Sequence, residues 1–198
     1  MTRKMVLATN NQGKARELNA MLAGLDLEIV SQGALGVTAV EETGKSFAEN
    51  AVLKARHAAE ATGLPAVADD SGLEVDALKG APGIYSSRYA GPKASDTDNL
   101  MKLLGELRGV PENRRGARFR CAIAFLPSPD AEPEVFEAAW EGRILDAPRG
   151  SNGFGYDPVF WVPEKGCASA ELPPEEKNRL SHRGRALALF AAHLRKQQ

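Results

Sequence analysis

Apolar and polar positions along the first third of the chain fall into two rhythms, one of short continuous runs and one of helical spacing. Lys4 to Thr9 is a short apolar run that reads as a buried strand. After the polar turn Asn10-Asn11-Gln12-Gly13, the spacing of Leu18, Met21, Leu22 and Leu25 predicts a helix. Leu27 to Val30 reads as a second strand, followed by a long connection with Gly33, Gly36 and the acidic Glu41-Glu42-Thr43-Gly44. Ser46-Phe47-Ala48-Glu49 fits a capping box, and the helix it starts runs to Gly63 ahead of Pro65. On that helix Ala51, Ala55 and Ala58, with Thr62 one turn on, make a small-residue face. Asn50, Lys54 and His57 form a polar stripe expected to face water.

Ala66 to Asp69 predicts the next strand, and Asp96 to Leu107 a helix whose buried side is Leu100, Leu103, Leu104 and Leu107. Ala117 to Leu126 alternates Phe119, Cys121, Ile123 and Phe125 with Arg118 and Arg120, and Val135 to Trp140 continues after a proline-rich turn. Those two segments predict an antiparallel hairpin. The last helix, near Arg183 to Arg195, buries Leu187, Phe190, Ala191 and Leu194 and is expected to leave its arginines outside. Strands that first alternate with helices and then pair as a hairpin imply a central mixed β-sheet flanked by helices, an α/β or α+β arrangement.

With 198 residues and 43% hydrophobic content, the chain is expected to form a single domain over residues 1–198. A net charge of -1 argues against a general nucleic-acid binder, so any phosphate site must be local. The two cysteines, Cys121 and Cys167, lack the spacing of a zinc site or disulfide scaffold and are expected to be reduced thiols. The apolar run after Met1 is too short for a signal peptide or membrane span, so the expected location is the cytoplasm.

Against this background one stretch, Val67-Ala68-Asp69-Asp70-Ser71-Gly72, stands out, because adjacent carboxylates repel and are costly to desolvate. Together with Glu41-Glu42 it supplies two acid pairs, hard oxygen ligands suited to Mg2+ with Mn2+ as a substitute. Lys14 and Lys54 could neutralise phosphates, and one acid could take a proton from an attacking water. Thr9 to Lys14 sits where a strand hands over to a helix, a place suited to phosphate. It is not a Walker loop, since Ala15 replaces the magnesium-binding hydroxyl residue, and an ordinary turn explains it equally well. Phe154-Gly155-Tyr156-Asp157 sets an aromatic ring beside a carboxylate in a glycine-rich loop, where a nucleobase could stack or an aromatic simply be buried. Ser181-His182-Arg183, with Lys177 nearby, gathers donors ahead of the last helix, and Ser181 is positioned to cap it.

These segments, taken in order, resemble the inosine triphosphate pyrophosphatase family over nearly the whole chain. The likeness rests on Thr9 to Lys14, Glu41 to Gly44, Ser46 to Ala59, Ala68 to Leu73, Gly80 to Tyr89, Gly153 to Asp157 and Ser181 to Gly184. It implies two lobes around a nucleotide cleft, a homodimer, and Mg2+-dependent cleavage of noncanonical purine nucleoside triphosphates between the α and β phosphates. By the same likeness Asp70 is the general base and a metal ligand, Glu41 a second metal ligand, and Ser71 a substrate contact. Thr9, Asn11, Gly13, Lys14 and Lys54 grip the triphosphate, Phe154 stacks on the purine within the Phe154-Gly155-Tyr156-Asp157 segment, and Asp157, Lys177, His182 and Arg183 face the base or its sugar. Asn10 departs from the glycine of many relatives, a mild change even if the position needs a positive φ. A Maf-like nucleotide pyrophosphatase, with a different base preference, is the nearest rival.

Overall fold

The computed structural model describes residues 3–10, 12–23 and 27–197. Asn11 and Leu25 lie outside them. In chain order the elements are β1 (Arg3–Leu7), α1 (Gln12–Leu22), β2 (Leu27–Ser31), α2 (Phe47–Thr62), β3 (Ala66–Val75), α3 (Asp96–Glu106), β4 (Gly116–Leu126), β5 (Glu134–Ile144), β6 (Phe160–Val162), β7 (Cys167–Ala168), α4 (Pro174–Leu180) and α5 (His182–Lys196). The strands make one sheet in the order β2-β1-β3-β4-β5-β6-β7. β1 runs parallel to β2 and β3, while β6 is antiparallel to β5 and β7, so the sheet is mixed as the pattern predicted. β4 and β5 are sheet neighbours joined by a short connection, which only a hairpin can span.

The chain packs as two compact units, Met1–Asp70, Cys121–Ala138 and Arg183–Gln198 in the first, Ser71–Arg120 and Ala139–His182 in the second. The first has a core of Met5, Leu7, Leu18, Leu22, Val67, Ile123, Phe125, Leu187 and Phe190. Its helix α2 starts where the capping residue requires: Ser46 is extended and its hydroxyl accepts from the Glu49 amide. It stops at Gly63, whose φ of 68° closes the helix at no steric cost. Ala51, Ala55, Ala58 and Ala59 are wholly buried, so the small-residue face does what its size permits, a close approach to β1.

Three expectations are corrected here. Asn50, placed in a watery stripe, is completely buried, and its Oδ1 accepts from the Gly44 amide at 2.8 Å, which ties the incoming loop to α2. β3 does not stop at Asp69 but continues to Val75, so the acid pair lies inside a strand. Arg183 is buried, unlike the exposed Arg185 and Arg195 of α5, because a carboxylate waits for it in the interior.

The second unit has a core of Leu73, Val75, Leu100, Leu103, Leu107, Phe119, Trp140, Val159 and Phe160. α3 presents the predicted leucines to it and begins with a full capping box between Ser95 and Asp98. Ser181 ends the short helix α4, an element the sequence pattern did not predict.

Candidate active site

In a strand, successive side chains leave opposite faces, so Asp69 and Asp70 point away from each other. Each finds its own cation within the first unit. Asp69 Oδ2 lies 3.2 Å from Lys14 Nζ on α1 and 3.3 Å from Arg183 Nε on α5. Asp70 Oδ1 lies 3.0 Å from Lys54 Nζ on α2, and the same ammonium is 2.9 Å from Glu42 Oε1. The adjacent acids are therefore tolerable because the strand's alternation separates them and three elements supply positive charge.

Burial works against the ionised form of Asp69, but Lys14, Arg183 and Lys54 outweigh it and hold the group well below the usual carboxylate range. At Asp70 burial wins: its pKa is raised, although Lys54 and Lys14 pull the other way. Lys54 is opposed by burial yet ends above its ordinary value, because Asp70, Asp69 and Glu42 surround it. The outcome is one carboxylate locked in its charged form beside another with enhanced basicity.

Asp69 Oδ1 and Asp70 Oδ2 are buried and have no hydrogen-bond partner among the described residues. A buried carboxylate oxygen in that condition is costly unless a cation or ordered water meets it. Among the described residues no group of three or more His, Cys, Asp or Glu stands together as a metal cage. Mg2+ needs none, since it is commonly held by one or two carboxylates and completed by phosphate oxygens and water. The unpartnered Asp70 oxygen fits such a role.

In the second unit the loop before β6 closes on itself. The Asp157 carboxylate is buried, and its Oδ2 accepts from the Phe154 amide at 2.9 Å and from Lys177 Nζ at 2.7 Å. The Lys177 ammonium also stands 5.0 Å from the centre of the Phe154 ring, within cation–π range. The Gly155 amide donates to Asp96 Oδ2 at 2.8 Å, and the Tyr156 hydroxyl donates to the Ser86 carbonyl at 2.8 Å. An aromatic ring, a cation and a turn are thus held in one rigid arrangement.

Compared with known families, the chain matches the Ham1 family over residues 5–193. It belongs to the Ham1 family. It is 60% identical over 196 residues to a dITP/XTP pyrophosphatase of Methylococcus capsulatus, covering 98% of each chain. To a dITP/XTP pyrophosphatase of Vibrio parahaemolyticus it is 58% identical over 196 residues, again 98% of each. Among solved structures it is similar to a HAM1 protein from Coxiella burnetii, with a TM-score of 0.92 and 46% identity over 98% of this chain and 99% of that one. The Ham1 protein of Staphylococcus aureus gives a TM-score of 0.89 at 43% identity, covering 99% of this chain and 100% of that one.

In this Ham1 chain the first unit brings together Lys14, Lys54 and Asp70 from the residues singled out in the sequence, with Glu42 and Asp69 of the two acid pairs as their direct partners. Glu41 is exposed, and Lys54 engages its neighbour Glu42 instead. Thr9 follows β1 and is half-buried, Gly13 is the second residue of α1, and Ser71 lies in β3 directly after the acids. Asn10 does not adopt a positive φ, since Lys79 alone does so among the described non-glycine residues. Its Oδ1 instead accepts from Gln32 Nε2 at 3.1 Å. The Arg183 guanidinium is turned onto Asp69, and the His182 ring stacks on Phe119 at 4.8 Å. Sequence reasoning gave no site role to Asp96, Ser86 or Ser169, whose hydrogen bonds to Gly155, Tyr156 and Asp157 join residues 59, 70 and 12 positions apart and leave no local pattern.

Proposed function

We propose that this Ham1 family chain hydrolyses noncanonical purine nucleoside triphosphates, ITP, dITP and XTP, to the nucleoside monophosphate and pyrophosphate. The observation that carries the reading is Asp70, a buried carboxylate of raised basicity beside the Lys54 ammonium, with one oxygen left over. It is supported by the activity named for relatives 58–60% identical over almost the whole length. On this reading Asp70 takes a proton from the water that attacks the α-phosphorus, and pyrophosphate leaves as the phosphoanhydride bond breaks. Lys14 and Lys54, with Thr9, Asn11, Gly13 and Ser71, hold the phosphate chain. Asp70 and Glu41 would hold Mg2+, which when bound neutralises phosphate oxygens and makes phosphorus more open to attack.

Phe154 stacks on the purine, and the loop through Gly155, Tyr156 and Asp157, with Lys177, His182 and Arg183, selects the base. Hypoxanthine and xanthine present an acceptor at O6 and a donor at N1 where adenine presents the reverse, so ATP would leave buried groups unpaired. The chain acts as one catalytic domain over residues 1–198 and, by its family resemblance, as a cytoplasmic homodimer. No helix among the described residues is long and apolar enough to cross a membrane.

The test is to incubate the protein with ITP and Mg2+ and identify the products. IMP and pyrophosphate, abolished by EDTA, are expected. Release of orthophosphate, or hydrolysis of other nucleotides with none of ITP as a Maf-like enzyme would give, would overturn the reading.

A further inference from the structure

Asp157 is only 3% exposed, and its hydrogen bonds run to this chain's own donors. Oδ2 takes the Phe154 amide and the Lys177 ammonium, and Oδ1 takes the Ser169 hydroxyl at 2.9 Å. Ser169 is itself wholly buried, in the 3-10 turn Ser169–Glu171 that follows β7. The torsion that turns a carboxylate about its Cβ–Cγ bond is broad, so donors on one oxygen alone leave it free to swing. A hydroxyl on the other oxygen removes that freedom.

The approach of the loop to this carboxylate is equally constrained. Gly153 has a φ of 78°, and a Cβ there would stand 2.1 Å from Asp157 Oδ2. Only glycine lets the chain pass so near the charge that anchors it. Lys177 ends a flexible four-carbon stem, and its ammonium has a fixed place above the Phe154 ring because Asp157 holds it there.

We infer that Ser169 and Asp157 are positioning residues for base recognition: Ser169 orients the Asp157 carboxylate, which sets the Lys177 ammonium over the Phe154 ring and pins the Phe154 amide. Asp157 therefore acts through Phe154 and Lys177 rather than by touching the base. The inference rests on the proposed stacking of Phe154 on the purine, and it adds Ser169, which no pattern in the sequence marked.

The experiment compares Ser169→Ala, Ser169→Thr and wild type in steady-state ITP hydrolysis, with inorganic tripolyphosphate, which has no base, as a competitive inhibitor. Loss of one hydrogen bond to a charged group predicts that S169A raises KM for ITP about tenfold and leaves kcat within about threefold. The inhibition constant for tripolyphosphate should stay at the wild-type value, and S169T, which keeps the hydroxyl, should return KM to near wild type. An unchanged KM in S169A, an inhibition constant that rises in step with KM, or a threonine variant as impaired as alanine would each overturn the inference. If S169A is not recovered folded, Ser169→Cys, similar in size and a weak donor, is read by the same criteria. Wild type that fails to cleave ITP sinks the proposed function, whereas active wild type with an unaltered S169A sinks this inference alone.

Discussion

The Lys54 ammonium lies 3.0 Å from Asp70 Oδ1 and shares itself with Glu42 Oε1 at 2.9 Å. One lysine thereby balances an interior carboxylate and a loop carboxylate, and the second Asp70 oxygen has no hydrogen-bond partner among the described residues. Replacing Asp70 by Asn preserves the shape of the group but removes its ability to accept a proton. Asp70→Asn should lower kcat for ITP by about a hundredfold or more while nucleotide affinity, read by calorimetry, changes little. A kcat near wild type would rule Asp70 out as the base.

Removing the shared cation should be worse for stability than removing cation and acid together. Lys54→Met leaves the buried Asp70 carboxylate without its partner, a loss of about 3 kcal/mol for a broken buried pair. The double variant Lys54→Met/Asp70→Asn no longer carries that uncompensated charge and should denature at a higher urea concentration than the single one. Additive losses in urea melts would show that the pair is not coupled.

Phe154→Ala should weaken ITP binding by about 1–3 kcal/mol through lost stacking, with kcat much less affected. Inhibition by tripolyphosphate provides the control, since no base is involved. An unchanged KM for ITP would mean that the ring serves only to pack against Lys177.

Base selection should follow hydrogen-bond chemistry. ITP, dITP and XTP are expected to turn over well, ATP and GTP poorly, because buried polar groups left unpaired discriminate far more strongly than lost apolar contact does. Guanine shares the N1 and O6 pattern of hypoxanthine, so its rejection depends on a penalty for the 2-amino group. Comparable kcat/KM for ITP and GTP would remove the selectivity from the proposal.

The two free thiols should differ in reactivity. Burial, reinforced by the negative charge of Asp69, pushes the Cys121 thiol up to about 12, so it holds no reactive thiolate near neutral pH. Cys167 is also raised by burial and by Glu171 and Glu176, but it is partly accessible. Thiol titration of the native protein at mildly alkaline pH should modify Cys167 slowly and spare Cys121 until denaturant is added. Rapid labelling of both would contradict the packing around Cys121.

Much of the fold was legible because its signals act over one or two turns of chain. The Ser46 and Gly63 limits of α2, the leucines of α3 and the alternation of β4 all lie in patterns a few residues long, and the mixed sheet followed from their order. The candidate residues Lys14, Lys54 and Asp70 were legible for a different reason: their residue types, in family-like segments, are the ones phosphate chemistry requires. Partner choice was not legible. That Asn50 would be buried, that Lys54 would take Glu42 rather than Glu41, and that Arg183 would leave the surface depended on which faces the packing covered.

The sequence by itself determined most of the longer elements, the caps of α2 and the stock of charged groups, since propensity and periodicity are properties of neighbouring residues. Only the tertiary structure decided which charge meets which, because Lys54 reaches Asp70 across 16 positions and Arg183 reaches Asp69 across 114. At such separations no local preference operates. The pairing is set by the energetic cost of leaving a carboxylate in the interior without a cation, and that cost exists only once the interior has formed.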